Sequence, residues 1–139
     1  MDTVFLIARV LLALIFLLSA IGHFANASAM AQYADYKGAP GGKFGVIASG
    51  AAMGLGGLMI LFGVFGDIGA LLIALTLIPV TFFMHAFWKE TDAQAKQTEQ
   101  ISFNKNLGLI GGALGLFLLF ASTGLDLGLT ITGPLFHLG

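Results

Sequence analysis

The chain has no cysteine, which excludes disulfides, thiolate metal sites and thiol redox chemistry. It is also short of charge. Only 9% of its 139 residues are Asp, Glu, Lys or Arg, against about 25% in a soluble domain. Such a chain cannot cover a soluble surface. With six basic and seven acidic residues the formal net charge is −1, so the basic face that nucleic acid requires is missing. What fills the chain instead is apolar: 58% of residues are hydrophobic, and the mean hydropathy is +0.96.

The apolar residues fall into four runs, 3–24, 44–65, 68–88 and 104–122, followed by a tail, 123–139. A spanning helix needs about 20 apolar residues, and only helices satisfy their own backbone along runs of this kind in lipid. The expected fold is an all-α membrane protein, a four-transmembrane-helix bundle forming one domain over 1–139. Ala25-Asn26-Ala27 resembles a signal cleavage site, but the first run exceeds a typical signal core, so a retained span is expected. The link Gly66-Asp67 is too short for anything but an antiparallel hairpin.

Lysine sets the expected orientation. Lys37, Lys43, Lys89, Lys96 and Lys105 all lie in or beside the two longer loops, and the opposite side holds no Lys or Arg outside the membrane. The positive-inside rule then puts these loops in the cytoplasm and both termini outside, in a multi-pass protein of the inner (plasma) membrane. In the first loop Met30, Tyr33, Ala34 and Lys37 share one helical face, after Asn26 or Ser28 as a cap and before Gly38-Ala39-Pro40-Gly41-Gly42 as a stop. A short interfacial helix is expected there. Gln94 to Gln100 reads as solvated loop or short helix. The tail alternates Leu125, Leu127, Leu129 and Ile131 with polar or small residues, a strand-like period that would lie against the outer end of the bundle or against a partner.

Glycine marks helix packing. Gly50, Gly54 and Gly57 share a face of the second span, and Gly108, Gly111, Gly112 and Gly115 share one on the fourth. Small residues at this spacing let helix backbones approach closely in lipid. Pro79 interrupts the third span, with Thr76 and Thr81 placed to help satisfy the freed backbone groups.

The residues that could carry chemistry are few. Arg9 lies inside the first span, where a charge is costly and by default faces the bundle with a partner. Asp67 and Asp126 are on the same side of the membrane and are its candidate partners. His23 and His85 end the first and third spans near the lysine-rich side. The pair could hold a haem axially or contact a quinone; no further metal ligand accompanies it, and no catalytic set or metal site is expected. Arg9, His23 and His85 together form a candidate quinone, anion or structural polar site.

Arg9 followed by Leu14 to His23, the loop Gly38-Ala39-Pro40, the run Gly56 to Gly63, and His85-Ala86-Phe87-Trp88 followed by Gln100 and Phe103 to Leu107 occur in an order that resembles the DoxX family. The resemblance covers nearly the whole chain. It implies a four-helix bundle linked to membrane redox systems, such as quinol or thiosulfate oxidation. Family members often carry a Glu before the Gly-Gly of the second helix, a place that Met53 takes here. The expectation is an accessory or adaptor subunit of a larger membrane redox or respiratory complex, a non-catalytic subunit with no cofactor of its own. The alternatives are a quinone-binding oxidoreductase subunit and a lipid or small-solute binding protein.

Overall fold

The computed structural model describes residues 2–123 and 128–138. It is built of helices α1 (Asp2–Ala25), α2 (Ala27–Tyr36), α3 (Gly42–Phe62), α4 (Gly66–Met84) and α5 (Ala93–Thr123), with a 3-10 turn, Phe87–Lys89, between the last two. Four segments are long and apolar enough to cross a membrane: α1, α3, α4 with its 3-10 extension, and α5. The long, apolar residues outside the core, such as Leu11, Leu18, Leu55, Leu75 and Leu118, are exposed on the bundle's flanks, as a lipid-facing surface requires. The core runs along the bundle axis through Phe16, Met53, Ile60, Ile73, Leu77, Leu116 and Phe120.

Small residues draw the helices together. A Cβ on Gly50 would lie 2.6 Å from His23 Cβ, and one on Gly54 would lie 3.1 Å from Ala20 Cβ. Gly57 faces Leu17 and the Ala13 carbonyl in the same way, so this face of α3 lies against α1. A Cβ on Gly56 would stand 2.8 Å from the Gly69 carbonyl oxygen, which closes α3 onto α4. The α5 glycines behave differently. Cβ atoms on Gly108, Gly111, Gly112 and Gly115 would meet nothing within 4 Å. That face points out of the bundle, because α5 buries Asn106, Ala113, Leu116 and Phe120 instead.

Three elements depart from the sequence reading. The polar stretch 94–100 belongs to α5, which begins eleven residues before the apolar run. Asp92 starts it, accepting the Ala95 N–H at 2.8 Å, and at about 1.5 Å per residue the helix is longer than a bilayer core is thick. The α3–α4 link is Gly63–Phe65, so Asp67 stands in the first turn of α4 and not in the turn itself. Gly63 closes α3 at φ 62°, a left-handed cap that glycine adopts without strain.

The tail forms no strand among its described residues; Leu125, Asp126 and Leu127 lie outside them. Residues 128–138 fold over the α3–α4 turn. Thr132 N–H donates to the Gly63 carbonyl at 3.0 Å, Leu138 N–H donates to Ala121, and Thr132 Oγ1 accepts the Phe65 N–H. The bundle thus has a turn end, covered by the tail, and a loop end, where α2 and the 3-10 turn meet.

Candidate functional site

Each end of the bundle holds a polar centre. At the turn end Arg9 is fully buried. Its Nε donates to the Ile60 carbonyl at 2.8 Å, Nη2 to Leu61 at 2.7 Å, and Nη1 to Leu129 of the tail at 2.9 Å. Phe5 packs on the guanidinium, with 5.3 Å from Cζ to the ring centroid. Ile60 and Leu61 lie in the last turn of α3, where carbonyls run short of helical partners and the helix dipole is negative; Ile60 also accepts the Gly63 N–H at 3.3 Å. Arg9 therefore caps α3 from the side, and among the described residues its hydrogen-bond partners are carbonyls.

Asp67 does not pair with Arg9. Its Oδ2 accepts the backbone N–H groups of Leu135 and Phe136, each at 2.8 Å, while its buried Oδ1 has no partner. The carboxylate sits in the first turn of a helix, a favourable place for negative charge, and fastens the tail. Asp126, the other candidate partner, lies outside the described residues.

At the loop end Glu99, buried on α5, is the hub. Its Oε1 accepts the Tyr33 hydroxyl at 2.7 Å and Lys37 Nζ at 2.9 Å, and its Oε2 meets His85 Nδ1 at 2.7 Å. Lys37 also pairs with Glu90 at 2.5 Å. This network ties α2 to both α4 and α5. Burial raises the Tyr33 phenol above its ordinary range, and the Glu99 hydrogen bond pushes it the same way. Burial works against the Lys37 ammonium, but its bonds to Glu90 and Glu99 outweigh that and raise its pKa. Lys37 is thus a fixed cation across the physiological range.

Under α2 a cavity of about 600 Å³ opens between the helices, lined mainly by apolar side chains such as Phe16, Met30, Val46, Leu77 and Leu109. Both His23 and His85 line it. His23 Nδ1 lies 2.7 Å from the Ser19 carbonyl, and Ser19 Oγ lies 3.4 Å from Met53 Sδ. Pro79 lines the cavity too. Its neighbour Thr76 donates to Leu72 O at 2.7 Å, and the buried Thr81 hydroxyl has no partner, so neither threonine serves the backbone group that Pro79 frees.

The three residues grouped by sequence thus divide. His23 and His85 share the cavity; Arg9 belongs to the other end and does not line it. Sequence reasoning missed Glu99, Tyr33, Lys37 and Glu90 as a set. A signal was present: Glu99, Asn106, Ala113 and Phe120 recur every seven residues and are all buried, the stripe of one continuous helix. Among the described residues no three His, Asp or Glu converge in a metal-binding group.

The family model DoxX matches residues 4–86, which takes in α1 to α4 and His85. No curated protein and no solved structure matches the chain.

Proposed function

The chain belongs to the DoxX family, and from that premise we propose that it holds a lipid-soluble molecule with a polar head, of the quinone kind, in the cavity beneath α2. The observation that carries this reading is the cavity itself. It is apolar along its walls and carries two imidazoles, the usual make-up of a small-molecule site. His85 sits in it with Glu99 behind, and such a carboxylate fixes the orientation of an imidazole. No electron-transferring group is assigned to this chain. The redox step belongs to a larger membrane partner, to which this protein is an accessory subunit. The open glycine face of α5 favours the partner reading, since it lets another helix approach closely.

The same reading places the protein in the plasma membrane with the loop end in the cytoplasm. Five lysines near that end support it. Arg9, buried in the bundle, does not count as a loop charge against it.

The test is extraction. Protein purified in mild detergent is extracted with organic solvent, and the extract is compared by mass spectrometry with that of Ser49→Trp, which fills the cavity. A lipid-soluble quinone or hydroquinone present in the first and lost in the second is expected. Identical extracts from both would overturn the reading.

A further inference from the structure

The cavity's polar atoms have a one-sided hydrogen-bonding character. A carbonyl oxygen can only accept, so the contact from Ser19 O to His23 Nδ1 at 2.7 Å puts the ring's hydrogen on Nδ1. A neutral imidazole carries one such hydrogen, so His23 Nε2 is left as a bare acceptor. The same logic applies to His85. Glu99 takes two donors on Oε1, Tyr33 Oη and Lys37 Nζ, and such a carboxylate is ionised and can only accept. The hydrogen between His85 and Glu99 Oε2 is therefore on Nδ1, and in the neutral ring Nε2 is then an acceptor as well.

The hydroxyls of the lining follow suit. Ser19 donates to Met53 Sδ, Ser49 to the Val46 carbonyl, Thr76 to the Leu72 carbonyl and Tyr33 to Glu99. Each has committed its hydrogen to the protein and has only lone pairs left to offer. Two side-chain donors remain at the cavity: the Asn106 amide, which brings an acceptor with it, and Lys105, which is exposed.

We propose that the cavity selects a lipid-soluble molecule whose head donates hydroxyl hydrogens, a hydroquinone or phenol, over the matching molecule whose oxygens only accept. The inference rests on the reading of the cavity as a ligand site, and names the chemical form of the ligand. A hydroquinone's hydroxyls complete the two Nε2 acceptors. A quinone's carbonyls bring a second set of lone pairs against them and leave both sides unpaired, the costly arrangement in a buried apolar site.

The experiment uses the purified full chain in detergent micelles under anaerobic conditions. Calorimetry compares a short-chain alkyl hydroquinone with its quinone, and a 4-alkylphenol with the corresponding 4-alkylanisole, a pair that cannot change oxidation state. Reductant holds the hydroquinone in its reduced form and, in a chain without cysteine, has no disulfide to reduce. The donor member of each pair should bind roughly ten-fold tighter or more, the scale of one or two hydrogen bonds left unmade. His85→Phe should bring the ratios toward one. A quinone that binds as tightly as the hydroquinone would overturn the donor preference while leaving the cavity reading standing. Absence of binding by all four compounds would remove the cavity reading and the preference with it.

Discussion

The guanidinium of Arg9 and the carbonyl of Ile60 meet at 2.8 Å across 51 positions of sequence. The contact joins the first span to the end of the second, and two further carbonyls accept from the same guanidinium. Charge in lipid is here answered by backbone, and the helix that supplies the backbone is capped in return.

Replacing Arg9 therefore harms two elements at once. Arg9→Leu leaves the carbonyls of Leu61 and Leu129 without the donor it supplied and Ile60 with the Gly63 N–H alone. Each buried acceptor left unmade costs about 1–3 kcal/mol, so the set together outweighs the roughly 2.5–3.5 kcal/mol that removing a charge gains on insertion scales. Arg9→Lys keeps the charge but not the fork, and should fall between. Unfolding in mixed detergent micelles measures both. A leucine variant as stable as the parent would refute the capping role.

Asp67 fastens the tail through one oxygen. Asp67→Asn retains an acceptor for the Leu135 and Phe136 N–H groups, and its new amide takes the place of an oxygen that has no partner. Asp67→Ala retains neither. The asparagine variant should keep the tail resistant to limited proteolysis, and the alanine variant should lose that resistance. Equal cleavage of the two would show that the carboxylate does not hold the tail.

The two glycine faces should respond in opposite directions. Gly56→Ala drives a methyl against the Gly69 carbonyl oxygen at 2.8 Å, backbone that cannot move cheaply, and overpacking of this kind costs about 1–3 kcal/mol. Gly111→Ala meets nothing and exchanges a poor helix former for the best, a gain of up to about 1 kcal/mol. Thermal unfolding of the two variants side by side is decisive. A loss of stability in Gly111→Ala would mean that another surface already covers that face.

The tie between α2 and the bundle has a defined pH window. Folding raises the pKa of both Tyr33 and Lys37 above their ordinary values of 10.0 and 10.5. A group with a raised pKa contributes stability that is complete below its unfolded value and lost as pH rises through the folded one. The tie should thus be constant from neutral pH to about 10 and weaken only beyond it. Thermal unfolding followed across that range measures the effect. Lys37→Met should abolish the alkaline part that Lys37 supplies, and an unaltered profile in that variant would exclude Lys37 as its source.

Orientation is tested from outside the cell. Ala93→Cys and His137→Cys place single thiols at exposed positions of opposite ends. An impermeant thiol reagent on intact cells should label the second and spare the first. The reverse pattern would invert the topology.

The spans were legible because hydrophobic length is a property of the residues themselves. The α2 helix was legible for the same reason: Met30, Tyr33, Ala34 and Lys37 are spaced for one face. The partners of Arg9 were not, because a carbonyl oxygen belongs to every residue and leaves no mark in sequence; only acids stood out as candidates. Glu99 was hidden by its neighbours, a run of polar residues that resembles loop until the seven-residue stripe down to Phe120 is followed. The glycine faces of α3 and α5 have the same spacing and opposite surroundings, and spacing carries no information on which side of a helix the bundle lies.

Arg9 enters the membrane with the first helix to be made, while its acceptors come 51, 52 and 120 positions later. For most of synthesis these three carbonyls are not there to receive it, and the first span must stay close to water or to the insertion machinery until α3 arrives beside it. The tail then closes the last of the three bonds. Biogenesis of this bundle therefore has a built-in order, in which the earliest helix is the last to be fully settled.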